Sequence, residues 1–144
     1  MEHFAYFVKT ATMSILHIAD AAASKNNTSL LFDEFWNKFY GLEPDFLFVS
    51  AGGHSLRRVG DKGERIIVEN TTLSPVQAAK LTLKVKAKHA GIVGVYNFSA
   101  WDNRVEYART YEAAESEFYW AISFLAPAIK VHNFRPGDVF FIER

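Results

Sequence analysis

The chain has 144 residues, about the size of a single domain, and 49% of them are hydrophobic, with 13 Phe, 3 Trp and 6 Tyr supplying the material for a core. Lysine plus arginine (16) balances aspartate plus glutamate (16), which argues against a nucleic-acid coater that neutralises phosphates with a basic excess. With no cysteine, thiolate nucleophiles, zinc ribbons, iron–sulfur clusters and disulfide frameworks are excluded.

No run approaches the length of apolar sequence that spans a bilayer; the best, from Phe118 to Ile129, is short and carries Pro127. Glu2, Lys9, His17 and Asp20 interrupt any leader-like apolar stretch, so a cytoplasmic location and no membrane association are expected. There is no internal repeat and no linker, and residues 1–144 read as one domain.

Residues 2–9 fit either a short strand or a first helical turn. From Ala11 to Ser24 the spacing of Ile15, Ile18 and Ala22 predicts a helix, with His17 on its apolar side as a core histidine. Asn26 and Asn27 close it, and Thr28 or Ser29 caps a second helix striped by Leu31, Phe35 and Phe39 and ended by Gly41. Phe46 to Val49 is an apolar run bounded by turn residues and reads as a buried strand. Leu56–Val59 and Arg65–Val68 follow as strands separated by the turn Asp61-Lys62-Gly63.

Ser74-Pro75-Val76-Gln77 is a capping box with proline at the first helical position. It opens a helix expected to reach Ala90 and to end at Gly91, with a strand from Ile92 to Phe98 after it. Asn103 and Glu106 look like a second capping box. They precede a stripe of Tyr107, Tyr111, Ala114, Phe118, Ile122 and Leu125, which predicts a long helix stopped by Pro127. Ile129–Phe134 and Val139–Ile142 flank Arg135-Pro136-Gly137-Asp138 and predict a C-terminal hairpin. The expected fold is α+β: a central, mostly antiparallel sheet of about five to six strands packed by about four helices.

The residues offering chemistry are few. His54 lies in the loop Ser50-Ala51-Gly52-Gly53-His54-Ser55, where Gly52 and Gly53 can expose backbone N–H groups to an anion and Arg57 and Arg58 stand close behind. This makes Gly52, Gly53, His54, Arg57 and Arg58 the candidate ligand-binding set and His54 the candidate catalytic residue, although no phosphate-loop motif occurs. His3, His17, His89 and His132 show no metal-ligand spacing, and no metal site is expected. Lys80, Lys84 and Lys88 recur every four residues and suggest one basic helix edge. Trp120 and Phe124 lie to one side of the apolar stripe on the last helix, and a helix with a second apolar face is either sandwiched in the core or carries an interface.

The element order resembles that of the acetyl-CoA-dependent N-acetyltransferases, through topology and not through a motif. The resemblance implies a small acyltransferase-like enzyme using a nucleotide-containing cofactor, whose pyrophosphate meets a glycine-containing loop at the start of the central helix. The matching stretch, Thr71-Thr72-Leu73-Ser74-Pro75-Val76, has no glycine, and Pro75 removes one donor. A second alternative is a binder of a nucleotide-like small molecule, using the aromatics and the Arg57/Arg58 region. The favoured expectation is a non-catalytic interaction protein without a resident cofactor: an inhibitor, immunity protein or assembly component, of the kind phages and mobile elements carry. Its partner is another protein or a further copy of itself.

Overall fold

The strands of this protein fall into two sheets, and the larger one is mostly parallel. A computed structural model of the chain describes residues 5–18, 37–52, 55–59, 65–70, 72–93, 105–106, 110–135, 137–139 and 141; for 55–59, 65–70 and 105–106 the description stops at the backbone. The first sheet joins β1 (Ala5–Lys9), β2 (Ser14–Ile18), β3 (Phe46–Ser50), β6 (His89–Val93) and β8 (Lys130–Val131), in that order. Only the β1–β2 pair is antiparallel; β2, β3, β6 and β8 run parallel. The second sheet is antiparallel and places β4 (Ser55–Val59) between β5 (Arg65–Asn70) and β7 (Val105–Glu106). Among the described residues the helices are α1 (Pro75–Val85) and α2 (Tyr111–Leu125).

The mixed α and β character matches expectation, and the arrangement does not. Parallel neighbours need crossover connections, and α1 and α2 lie in the crossovers from β3 to β6 and from β6 to β8. The expected mostly antiparallel sheet is therefore corrected to a mostly parallel one. The expected C-terminal hairpin is replaced by β8, which pairs with β6. The turn at Arg135–Asp138 is present: the Asp138 N–H donates to the Arg135 carbonyl at 3.0 Å, and Gly137 takes φ 93°. Val139 and Phe141 beyond it are exposed and outside any strand. The helix placed between Thr28 and Gly41 lies mostly outside the described residues, although Gly41 has the φ of 77° that suits a chain-reversing glycine.

Ser14–Ile18 is a strand and not part of a helix. Ser14, Leu16 and Ile18 are buried while Ile15 and His17 are partly open, a period of two that overrides the three-residue spacing of the isoleucines. The tight turn before it settles the outcome. The Thr10 Oγ1 accepts from the N–H of Met13 at 2.9 Å and of Thr12 at 3.2 Å, and the Thr10 N–H donates to the Met13 carbonyl at 2.8 Å. This hydroxyl-stabilised turn folds β2 back on β1 in the register Lys9 to Ser14.

Asp45 fastens the leading ends of three strands. Its Oδ2 accepts from the backbone N–H and the hydroxyl of Ser14 at 2.8 and 3.0 Å, and Lys88 Nζ reaches its Oδ1 at 2.7 Å. Its carbonyl accepts from His89 N–H. These donors hold the Asp45 carboxyl well below its ordinary 3.8, at about 2, with the Lys88 hydrogen bond as the largest influence.

The helix ends have local causes. Ser74 Oγ accepts from Gln77 N–H at 3.2 Å, and Gln77 Oε1 accepts from Ser74 N–H at 2.9 Å, so the capping box closes as the sequence implies. Such a cap contributes about 1 kcal/mol. The helix ends at Val85, not Ala90: Lys86 turns left-handed at φ 55° and the chain enters β6 at His89. Gly91 accordingly sits inside a strand rather than ending a helix. The proposed Asn103/Glu106 box is also corrected, because Glu106 belongs to β7 and α2 is capped by Thr110, whose Oγ1 accepts from Ala113 N–H at 3.2 Å.

Both helices pack on one face of the five-stranded sheet. Leu16, Ile18, Leu47, Val49, Ala90 and Ile92 face Ala78, Leu81 and Val85 of α1 and Ala114, Phe118 and Ile122 of α2 in one buried cluster. The opposite face carries rings: Tyr6, His17, Phe46, Phe48, His89, His132 and Phe134. No helix among the described residues is long and apolar enough to cross a membrane.

Candidate functional site

The outward face of α2 changes character along its length. Its first half presents Glu112, Ala113 and Ser116, ordinary solvated residues. Its second half presents Tyr119, Trp120 and Phe124, which are 52%, 71% and 87% exposed. Trp120 and Phe124 lie one turn apart on the same side, opposite Phe118 and Ile122, which are fully buried against the sheet. Leaving a tryptophan and a phenylalanine in water forgoes about 1.5–3 kcal/mol for each large side chain that burial would recover. Beside this ridge Glu112, Glu115, Ser116, Tyr119 and Asn133 line a cleft of about 290 Å³. The Glu115 carboxylate is already engaged there: Arg135 grips it from Nη1 and Nη2 at 3.1 and 3.0 Å. The guanidinium also lies over the Tyr111 ring, 4.8 Å from its centre, and donates to the Phe134 carbonyl. This cluster anchors the segment after β8 to α2.

On the ring-bearing face, His89 Nδ1 and His132 Nε2 are 2.8 Å apart and hydrogen-bonded, one ring donating and the other accepting. Phe46 stacks on His89, and Phe134 lies over Gly91 against Phe46 and Phe48. Burial lowers the basicity of both histidines; at His89 the charge of His132 lowers it further, then Lys130, while Asp45 opposes this, and at His132 Lys130 adds to the effect of burial. Among the described residues no three histidine, aspartate or glutamate side chains converge as a metal site.

The pair makes stability depend on pH in a fixed direction. A histidine whose charged form is disfavoured in the fold leaves the unfolded chain binding more protons below about pH 6.5. Its contribution is complete above that value and is lost as pH falls through the lowered folded value. Asp45 acts in a separate window, its contribution being lost between its ordinary 3.8 and about 2. We expect urea midpoints to decline in two stages on acidification. His132→Gln should flatten the first stage, Asp45→Asn the second; a first stage unchanged in His132→Gln would remove the histidine pair as its source.

The residues singled out from the sequence do not form one site. Gly52 is buried just beyond β3, while Gly53 and His54 lie outside the described residues. Arg57 and Arg58 are backbone positions of β4, opposite Ile67 and Ile66 in the second sheet. Lys80 is exposed on α1, and Lys84 lies over the Tyr40 ring at 5.2 Å. Lys88 is past the helix end and paired with Asp45, so the three lysines do not share one helix edge. Ser50, at the end of β3, has a fully buried hydroxyl that meets no hydrogen-bond partner among the described residues. Trp120 and Phe124 are exposed together, where the helical spacing put them.

The histidine pair had no sequence signal. Its members are 43 residues apart and meet only because β6 and β8 are neighbours. The order of elements behind the acetyltransferase resemblance is not the order observed, since a strand stands where its first helix was expected. No family model, curated protein or solved structure matches the chain.

Proposed function

We propose that this domain is a non-catalytic interaction protein that binds another protein through the outward face of α2. The observation that carries the reading is the exposure of Trp120 and Phe124 one turn apart, with Tyr119 beside them. Aromatic side chains of this kind are the usual anchors of protein interfaces, because they bury a large area at little conformational cost. Polar residues flank the ridge at Ser116 and Ser123, as the rim of an interface requires. In this reading the chain acts as inhibitors, immunity proteins and assembly components do, by covering a partner's surface rather than by turning over a substrate.

The test is capture from extracts of the source cell, followed by calorimetric titration of the identified and purified partner. Wild-type protein is expected to bind it, and Trp120→Glu or Phe124→Glu to weaken binding at least about tenfold, a loss of about 1.4 kcal/mol, with circular dichroism unchanged. Equal affinity in the double variant would overturn the reading.

A further inference from the structure

We infer that the protein recognised by this face is a second copy of the chain, in a two-fold dimer that lays α2 of each protomer over α1 of the other. The inference rests on the interaction reading above and adds the partner's identity. It is carried by the way charge and apolar surface are divided between the two helices.

Within its helical span α1 carries Lys80 and Lys84 and no acidic residue; α2 carries Glu112, Glu115 and Glu117 and no basic one. Of these, Lys80, Lys84 and Glu112 are exposed, Lys84 lying over the Tyr40 ring and Glu112 at the cleft beside the aromatic ridge. Apolar surface is divided as well. α2 exposes Tyr119, Trp120 and Phe124, and α1 exposes Val76 and Leu83. Each helix thus presents what the other lacks: a lysine and aliphatic side chains on one, a glutamate and rings on the other.

The helices also run in the same sense, because each returns the chain between parallel neighbouring strands. A two-fold axis lying between two such layers and parallel to the helices exchanges α1 and α2 while keeping height along them. Glu112 is in the first turn of α2, and Lys80 is at the middle of α1. Leu83 is in the last turns of α1, as Trp120 and Phe124 are in the second half of α2. With the helix starts level, superposition across that axis sets Trp120 of one α2 against Leu83 of the other protomer and leaves Lys80 about one turn, roughly 6 Å, beyond Glu112, a step the two long side chains span. Every contact occurs twice, as an isologous interface requires. A net charge of zero leaves no overall repulsion between copies.

Sedimentation velocity on the purified full chain, over a concentration series, tests this. We expect a monomer–dimer equilibrium in which Trp120→Glu yields monomer with an unchanged far-ultraviolet spectrum. Lys80→Glu and Glu112→Lys are each expected to raise the dimer dissociation constant several-fold, and the double reversal to bring it back to within about threefold of wild type, the signature of a direct pair. A chain that stays monomeric throughout, or a dimer indifferent to Trp120→Glu, overturns the inference, as does a double reversal that only adds the two losses. A monomer that binds a different protein through Trp120 rejects the second copy while the interaction reading stands. A monomer with no Trp120-dependent partner rejects both.

Discussion

Phe118→Ala is expected to lower the unfolding free energy by about 3–5 kcal/mol, the range for truncating a fully buried aromatic ring. Phe118 is completely enclosed between α2 and the strands, in contact with the cluster that includes Leu47, Leu81 and Ile92. Removing the ring forfeits its transfer free energy and leaves a cavity that both helices and the sheet must partly collapse to fill. For a domain whose total stability is about 5–15 kcal/mol, that is a large fraction. The matched control lies on the same helix. Phe124→Ala removes an identical ring that is 87% exposed, and at concentrations low enough for the chain to be monomeric its cost should stay within about 0.5 kcal/mol. Urea unfolding of the three proteins with a common slope decides the matter. Equal losses at the two positions would mean that α2 is rotated from the orientation described.

Gly91→Ala should cost about 1–3 kcal/mol, for the opposite reason. A Cβ at this position in β6 would enter the ring of Phe134 and lie 3.0 Å from the His132 carbonyl oxygen. The ring cannot drift aside freely. It packs against Phe46 and Phe48 at centre distances of 5.3 and 5.1 Å. Its backbone carbonyl is held by the Tyr111 hydroxyl at 3.1 Å and by Arg135 at 2.9 Å. The strain should therefore be relieved by shrinking the ring. Phe134→Leu in the Gly91→Ala background is expected to cost less than the sum of the two single changes, and thermal unfolding of all four proteins measures that coupling. Strict additivity would show that Phe134 does not rest on Gly91.

These two positions mark what can and cannot be read from the chain alone. The helical stripe that contains Phe118 is visible as a three-to-four-residue spacing, and the same spacing sets Trp120 and Phe124 apart from it. Gly91 reads locally as a helix terminator after a lysine-rich segment. Its actual role depends on a phenylalanine 43 residues later, which comes to rest on it only when β8 pairs with β6. The segment around Ile15 shows the same limit: its side chains fit two periodicities, and the hydroxyl-stabilised turn at Thr10 together with pairing to Phe46–Val49 selects the strand.

What the sequence determined by itself was local. The capping box at Ser74, the apolar run at Phe46, the stop at Pro127 and the turn at Arg135–Asp138 each follow from backbone sterics and hydrogen bonds closed within a few residues. That Trp120 and Phe124 oppose the buried stripe belongs with them, since helical register fixes which side chains lie off that stripe; that they are exposed and not sandwiched was decided by the tertiary packing. The tertiary structure alone decided which strands are neighbours and in which direction they run, because strand pairing is made between residues distant in the chain and leaves no periodic mark in either partner. It therefore also decided the mostly parallel sheet, the Asp45 clasp, the hydrogen bond between His89 and His132, and the side-by-side placement of a basic and an acidic helix.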